Sequence, residues 1–148
     1  ATIYIDYAHT PDAIEVALKS LKPHILGKLI VVIGAGGDRD KGKRPLMGTA
    51  AEKNSDFVII TDDNPRNEDP SVIHQMIKNG IQNDNKVKVI ADRAEAILTA
   101  VDLLEVGDGL LIAGKGHETE QVIGENNFPF DDFEQASLSV ASLDGIEQ

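Results

Sequence analysis

The sequence predicts an α/β fold: a single Rossmann-like three-layer domain with a mostly parallel sheet and helices on both faces. Two features carry this expectation. Five short apolar runs rich in β-branched residues recur along the chain, each followed by turn residues. Amphipathic segments with helix-start signals lie between them, and strict strand–helix alternation favours parallel strands buried on both sides. A chain of 148 residues is the length of one domain, able to bury a core without disulfides.

Taken in order, "TIYI" (2–5) reads as the first strand, and Thr10 followed by Pro11 starts a helix through "AIEVAL". The second strand is "LIVVI" (29–33). A glycine-rich turn, "GAGGDRDKGKRP", leads into a helix over "RPLMGTAAEK". "FVII" (57–60) is the third strand. After the loop "TDDNPRNEDP", Asp69 and Pro70 open a helix through "VIHQMI", a cap followed by proline at the first helical position. "VKVI" (87–90) is the fourth strand, and Asp92 with Glu95 forms a capping-box signature for the next helix. "LLIA" (110–113) is the fifth strand. Asp131 with Glu134 opens a closing helix over "DDFEQASLSVASL". No repeat, linker or low-complexity segment interrupts residues 1–148, so one domain is expected.

Acidic residues outnumber basic ones 25 to 14, a net charge of -11, which argues against nucleic acid and anionic membrane surfaces as partners. Cysteine is absent, excluding thiol chemistry and fitting a reducing cytoplasm. No apolar run reaches membrane-spanning length and no secretory signal opens the chain, so no membrane is expected. The start at Ala1, directly before a strand and without an initiator methionine, suggests a piece of a longer protein.

In open parallel sheets, ligands sit beyond the carboxyl ends of the strands. The loops there hold the unusual residues. "GAGGDRDKGKRP" fails the dinucleotide pattern because Arg39 stands where its third glycine is needed. It fails the phosphate-loop pattern because Arg44 follows Lys43 where a hydroxyl must reach magnesium. What remains is a basic turn of Arg39, Lys41, Lys43 and Arg44 suited to clamping a carboxylate or phosphate, or a solvated loop before a helix.

In "DNPR", an arginine on a proline-stiffened loop offers a planar fork to a carboxylate, while Asp63 and Asn64 accept from an ammonium. Together they suit a zwitterionic amino acid. The alternative is an internal ion pair of Arg66 with Glu68 or Asp69. "GKGHETEQ" adds Lys115, His117 and Glu118 between glycines that permit close backbone approach. Asp6 and His9 reach the same edge from "DYAHTPD". Two histidines on separate loops lack metal-ligand spacing, and no metal site is expected on this chain.

The ordered set "DYAHTPDAIE", "GGDRDKGKRPLMG", "TDDNPR" and "AGKGHE" resembles the C-terminal domain of the Mur ligases across essentially the whole chain. The arginine of "DNPR" is similar to the branch that adds meso-diaminopimelate to UDP-N-acetylmuramoyl-L-alanyl-D-glutamate in peptidoglycan synthesis. The resemblance implies an ATP-dependent ligase acting in the cytoplasm with ATP and Mg2+. Diaminopimelate would be held by Arg39, Asp63, Asn64, Arg66, Gly114 and Glu118. Asp6 and His9, with Lys41, would approach the nucleotide. No residue is expected to act as a proton-transfer catalyst, because positioning and charge stabilisation suffice for an activated acyl phosphate.

Members of the family also carry an N-terminal UDP-binding domain and a central ATPase domain, both absent from this chain. The expectation is therefore a substrate-binding domain that is inactive alone. Two other readings of the residues remain. One is a non-catalytic module for an anionic nucleotide. The other is a receiver-like phosphoacceptor domain, which shares "TDD" after a strand and a lysine after the last parallel strand but needs an acidic pair where only Asp6 stands.

Overall fold

A computed structural model describes residues 1–37, 41–115, 120–123, 126–129 and 131–147. Five strands, β1 (Thr2–Asp6), β2 (Leu29–Ile33), β3 (Phe57–Ile60), β4 (Val87–Val89) and β5 (Gly109–Ala113), pair in parallel in the order β1-β5-β2-β3-β4. Among the described residues five α-helices accompany them: α1 (Pro11–Leu21), α2 (Lys43–Asn54), α3 (Pro70–Lys78), α4 (Arg93–Leu103) and α5 (Asp132–Glu147).

The twofold alternation of strand side chains divides the apolar residues between two cores. On one face Leu29, Val31, Ile33, Val58 and Ile60 meet Ile14, Leu18, Met47, Ala51, Ile73 and Ile77 from α1, α2 and α3. On the other, Ile30, Val32, Ile59, Leu110 and Ile112 meet Ala96, Ile97, Ala100 and Val101 from α4, and Ala136 from α5. Every residue of β2 and β5 is buried, which is why both strands read as continuous apolar runs rather than alternating ones. Burying each such Leu or Ile contributes about 1.5–3 kcal/mol. The three-layer expectation holds.

The helix starts follow the caps seen in the sequence. Thr10 Oγ1 accepts from Ala13 N at 3.2 Å, and the Asp69 carboxylate accepts from Ser71 N at 2.9 Å. The Asp131 carboxylate accepts from Glu134 N at 3.1 Å. Asp92 caps α4 through Ala94 N at 3.2 Å, one position earlier than a capping box places that bond.

The sequence reading did not foresee an antiparallel pair, β6 (Glu120–Ile123) and β7 (Asn126–Pro129), after β5. Its run "EQVIGENNFP" is polar and barely alternates, so the only signal is a glycine-led two-residue connection after Ile123.

The first three crossover helices pack on one face, and α4 returns on the other. β5 is thereby inserted between β1 and β2. The helix that follows β5, α5, packs on the α4 face, opposite the helices that follow β1 and β2, and a switch of face of this kind leaves a crevice at the carboxyl ends of the strands.

Candidate functional site

Backbone fit comes first. The loop after β2 lies so close to the loop after β3 that a Cβ on Gly34 would stand 2.6 Å from the Thr61 carbonyl oxygen. One on Gly37 would collide with the Pro65 carbonyl. Gly37 N donates to Asn64 O at 2.7 Å, stitching the two loops together. From the other side Gly114, with φ 111°, passes the carboxylate of Asp63, and a Cβ there would meet Asp63 Oδ2 at 2.9 Å. Gly114 N donates to Asp6 O at 3.1 Å. The ends of β1, β2, β3 and β5 are thus drawn together at glycines.

They enclose a cavity of about 390 Å³ whose lining includes His9, Lys43, Asp63, Asn64, Arg66 and Gly114. Arg66 has φ 52°, in the left-handed region. Its Nη1 donates to Gly37 O at 3.0 Å and to Asn64 O at 3.3 Å. Among the described residues its guanidinium meets only these backbone carbonyls. Asp63 is buried, and its Oδ1 has no hydrogen-bond partner among the described residues. A buried carboxylate oxygen without a donor is costly, and a residue that carries one while lining a cavity is a candidate partner for a cation or donor. One cavity therefore carries a cationic fork and an acidic acceptor. That pairing suits a ligand with both charges.

Asp6 and His9 share a second, more open depression of about 800 Å³, with His9 and Thr10 lining both spaces. The Asp6 carboxylate accepts from Tyr7 N at 2.7 Å. His9 Nδ1 lies 3.0 Å from the Tyr7 carbonyl oxygen. A carbonyl only accepts, so Nδ1 carries the proton and Nε2 keeps its lone pair in the neutral ring.

The basic turn divides. Lys43 lines the cavity, whereas Lys41 reaches Glu68 at 3.4 Å with its side chain 64% exposed. Arg44, read as part of a ligand clamp, is instead turned inward at 1% exposure. Its Nη1 and Nη2 contact Glu68 Oε1 and Oε2 at 3.1 and 2.6 Å, and Nη2 also donates to Gly36 O at 3.0 Å. One residue along a helix rotates a side chain by about 100°, enough to send Lys43 outward and Arg44 under the loop. The internal pair considered for Arg66 is taken by these neighbours: Glu68 engages Arg44 and Lys41, and Asp69 caps α3. The Ser71 hydroxyl and N–H hold the Asp69 carboxyl below its ordinary value.

Several supporting residues had no motif to announce them. His74 Nε2 meets Asp62 Oδ1 at 2.6 Å, Gln121 Nε2 donates to Asp63 O at 2.8 Å, and Arg93 Nη1 donates to Asp62 O at 3.2 Å. Lys115 is fully buried. Arg39 and Glu118, with Gly116 and His117, lie outside the described residues. Among the described residues no group of three or more potential ligands could hold a metal ion, and no helix is long and apolar enough to cross a membrane.

A family model described as "Mur ligase, glutamate ligase domain" matches residues 1–116. The chain belongs to the Mur ligase family. A protein of Coxiella burnetii named UDP-N-acetylmuramoyl-L-alanyl-D-glutamate--2,6-diaminopimelate ligase is 55% identical over 138 residues, covering 93% of this Mur ligase domain. The domain spans only 28% of that relative's length. A solved structure of a ligase with the same name superposes with a TM-score of 0.92 at 44% identity, over 95% of this chain and 29% of that one. The Mycobacterium tuberculosis folylpolyglutamate synthase, solved with ADP and AMPPCP, is 24% identical over 76% of this chain and 26% of its own, with a TM-score of 0.58. At that identity it shares the fold. The family match takes in every candidate residue from Asp6 to Gly114 and stops before Glu118.

Proposed function

We propose that this chain is the C-terminal, amino-acid-binding domain of an ATP-dependent cytoplasmic ligase that adds meso-diaminopimelate to UDP-N-acetylmuramoyl-L-alanyl-D-glutamate in peptidoglycan synthesis. The observation that carries the reading is that Arg66 and Asp63, whose buried Oδ1 has no hydrogen-bond partner among the described residues, line one cavity. Diaminopimelate has an amino acid group at each end. Arg66 takes the carboxylate of the non-reacting end, and Asp63 with Asn64 takes its ammonium. Gly114 lets the backbone approach, and Arg39 and Glu118 complete the grip. The names of the relatives support the choice of amino acid.

ATP activates the D-glutamate γ-carboxyl as an acyl phosphate. With the far end held, this domain presents the free amine to that acyl carbon. The C–N bond forms, the bond to phosphate oxygen breaks, phosphate leaves, and the nitrogen loses its proton to solvent. Fixing the amine in reach supplies the rate without a base from this chain. Asp6 and His9 suit the nucleotide because their depression adjoins the cavity, sharing Tyr7, His9 and Thr10 in its lining. Lys41 joins them from the basic turn. Mg2+, the UDP-sugar site and most of the ATP site belong to the rest of the protein.

Calorimetric titration of the chain with meso-diaminopimelate and with lysine tests this reading. Lysine lacks the distal carboxylate and leaves the half-buried Arg66 unanswered, a loss that reaches about 2 to 5 kcal/mol where the bound ligand covers the guanidinium. Equal affinity for both would reduce the domain to a general anion or nucleotide module. The chain alone, mixed with ATP, the nucleotide dipeptide and diaminopimelate, is expected to release no phosphate catalytically.

A further inference from the structure

We propose that the ion pair of the buried Arg44 with the partly buried Glu68 is the positioning device for Arg66, and so sets selectivity for the acceptor's second carboxylate. This rests on the functional reading above. Arg66 is the one non-glycine residue with positive φ among those described. An L-residue in the left-handed region is strained, and such a conformation persists only where its surroundings over-determine it.

Arg66 sits inside a turn closed by Glu68 N donating to Pro65 O at 3.0 Å. The amino end of that turn is fixed by Gly37 N on Asn64 O at 2.7 Å. Its carboxyl end is fixed by the Glu68 side chain, gripped at both oxygens by Arg44. The same guanidinium holds the Gly36 carbonyl at 3.0 Å, one residue from the Gly37 carbonyl that receives Arg66 Nη1. A single side chain on the first turn of α2 therefore fastens both loops that meet at Arg66. At 1% exposure its geometry is shielded from solvent. A bidentate guanidinium defines an orientation as well as a distance, which lysine cannot reproduce.

Steady-state kinetics of the full-length ligase to which the domain is assigned provide the test, with Arg44→Lys and Glu68→Gln as the variants. The expected result is a KM for diaminopimelate raised about tenfold or more, with kcat at saturation and the KM values for ATP and the nucleotide dipeptide within about twofold. The preference for diaminopimelate over lysine should shrink by a similar factor. Unchanged KM and unchanged preference in a Glu68→Gln enzyme, whatever its melting temperature, would overturn the positioning role. Loss of kcat with both cosubstrate KM values altered would also overturn it, marking the pair as merely structural. A wild-type enzyme indifferent between the two amino acids would instead defeat the functional reading on which the inference stands.

Discussion

Arg93, at the start of α4, and Asp132, at the start of α5, form a two-point ion pair with no solvent exposure on either side chain. Nε meets Oδ1 and Nη2 meets Oδ2, both at 2.7 Å. Arg93 also donates to the carbonyls of Asp62 and Ala113, at the ends of β3 and β5. One guanidinium thus joins the second helical layer to the strand ends that carry the site. Asp132→Ala should strand a buried cation and destabilise the chain by about 3–5 kcal/mol. Replacing both partners with apolar residues of similar size should recover only part of that loss, because the Asp62 and Ala113 carbonyls lose their donor. Urea denaturation of the single and double variants measures both effects.

The fold was legible because it rests on signals local in sequence. The run "LIVVI" announces a strand buried on both faces, and Thr10-Pro11 and Asp69-Pro70 announce helix starts whose bonds are present. The grouping of His9, Asp63, Asn64, Arg66 and Gly114 at one cavity could be anticipated only through strand order and the carboxyl-edge rule. Arg44 shows what composition cannot give. Its inward turn depends on helical phase and on Glu68, which lies 24 residues away. The Asp62–His74 and Gln121–Asp63 bonds are likewise long-range and leave no local pattern.

Acid stability offers a separate test at Asp108. Its carboxylate accepts from Glu105 N at 2.9 Å and from Lys28 N at 2.7 Å, holding the carboxyl below its ordinary 3.8. The folded state therefore binds this proton less readily than the unfolded chain. The stabilising contribution is present above 3.8 and is lost as pH falls through the lowered folded value. Asp108→Asn removes that titration. The variant should melt lower at neutral pH and show a shallower decline below 3.8, recorded as melting temperature against pH.

Gly114 joins backbone conformation to the site. A φ of 111° is open to glycine and strained for any other residue, and the new methyl would press on Asp63 Oδ2. Gly114→Ala should cost about 1–3 kcal/mol of stability. It should also weaken diaminopimelate binding, because Asp63 must move. Chemical denaturation and calorimetry on the same sample would separate the two effects. A variant with native stability and native affinity would show that the close approach is unnecessary.

Arg66 combines backbone strain with a proposed binding role, and two substitutions separate them. Both Arg66→Gly and Arg66→Ala remove the guanidinium, its bonds to Gly37 O and Asn64 O, and the fork offered to a carboxylate. Both should therefore lose diaminopimelate affinity by about 2–5 kcal/mol. Only glycine relieves the left-handed penalty of φ 52°. Alanine keeps it, at about 1–2 kcal/mol, while glycine loses part of the advantage through about 0.5–1 kcal/mol of extra unfolded-chain entropy. The glycine variant should then be the more stable of the two by up to about 1 kcal/mol, although it contributes no side-chain contact at all. Urea midpoints in the reverse order would mean that residue 66 relaxes out of the left-handed region once the guanidinium is gone. The strain would then be imposed by the side chain's own bonds rather than by the loop that carries it.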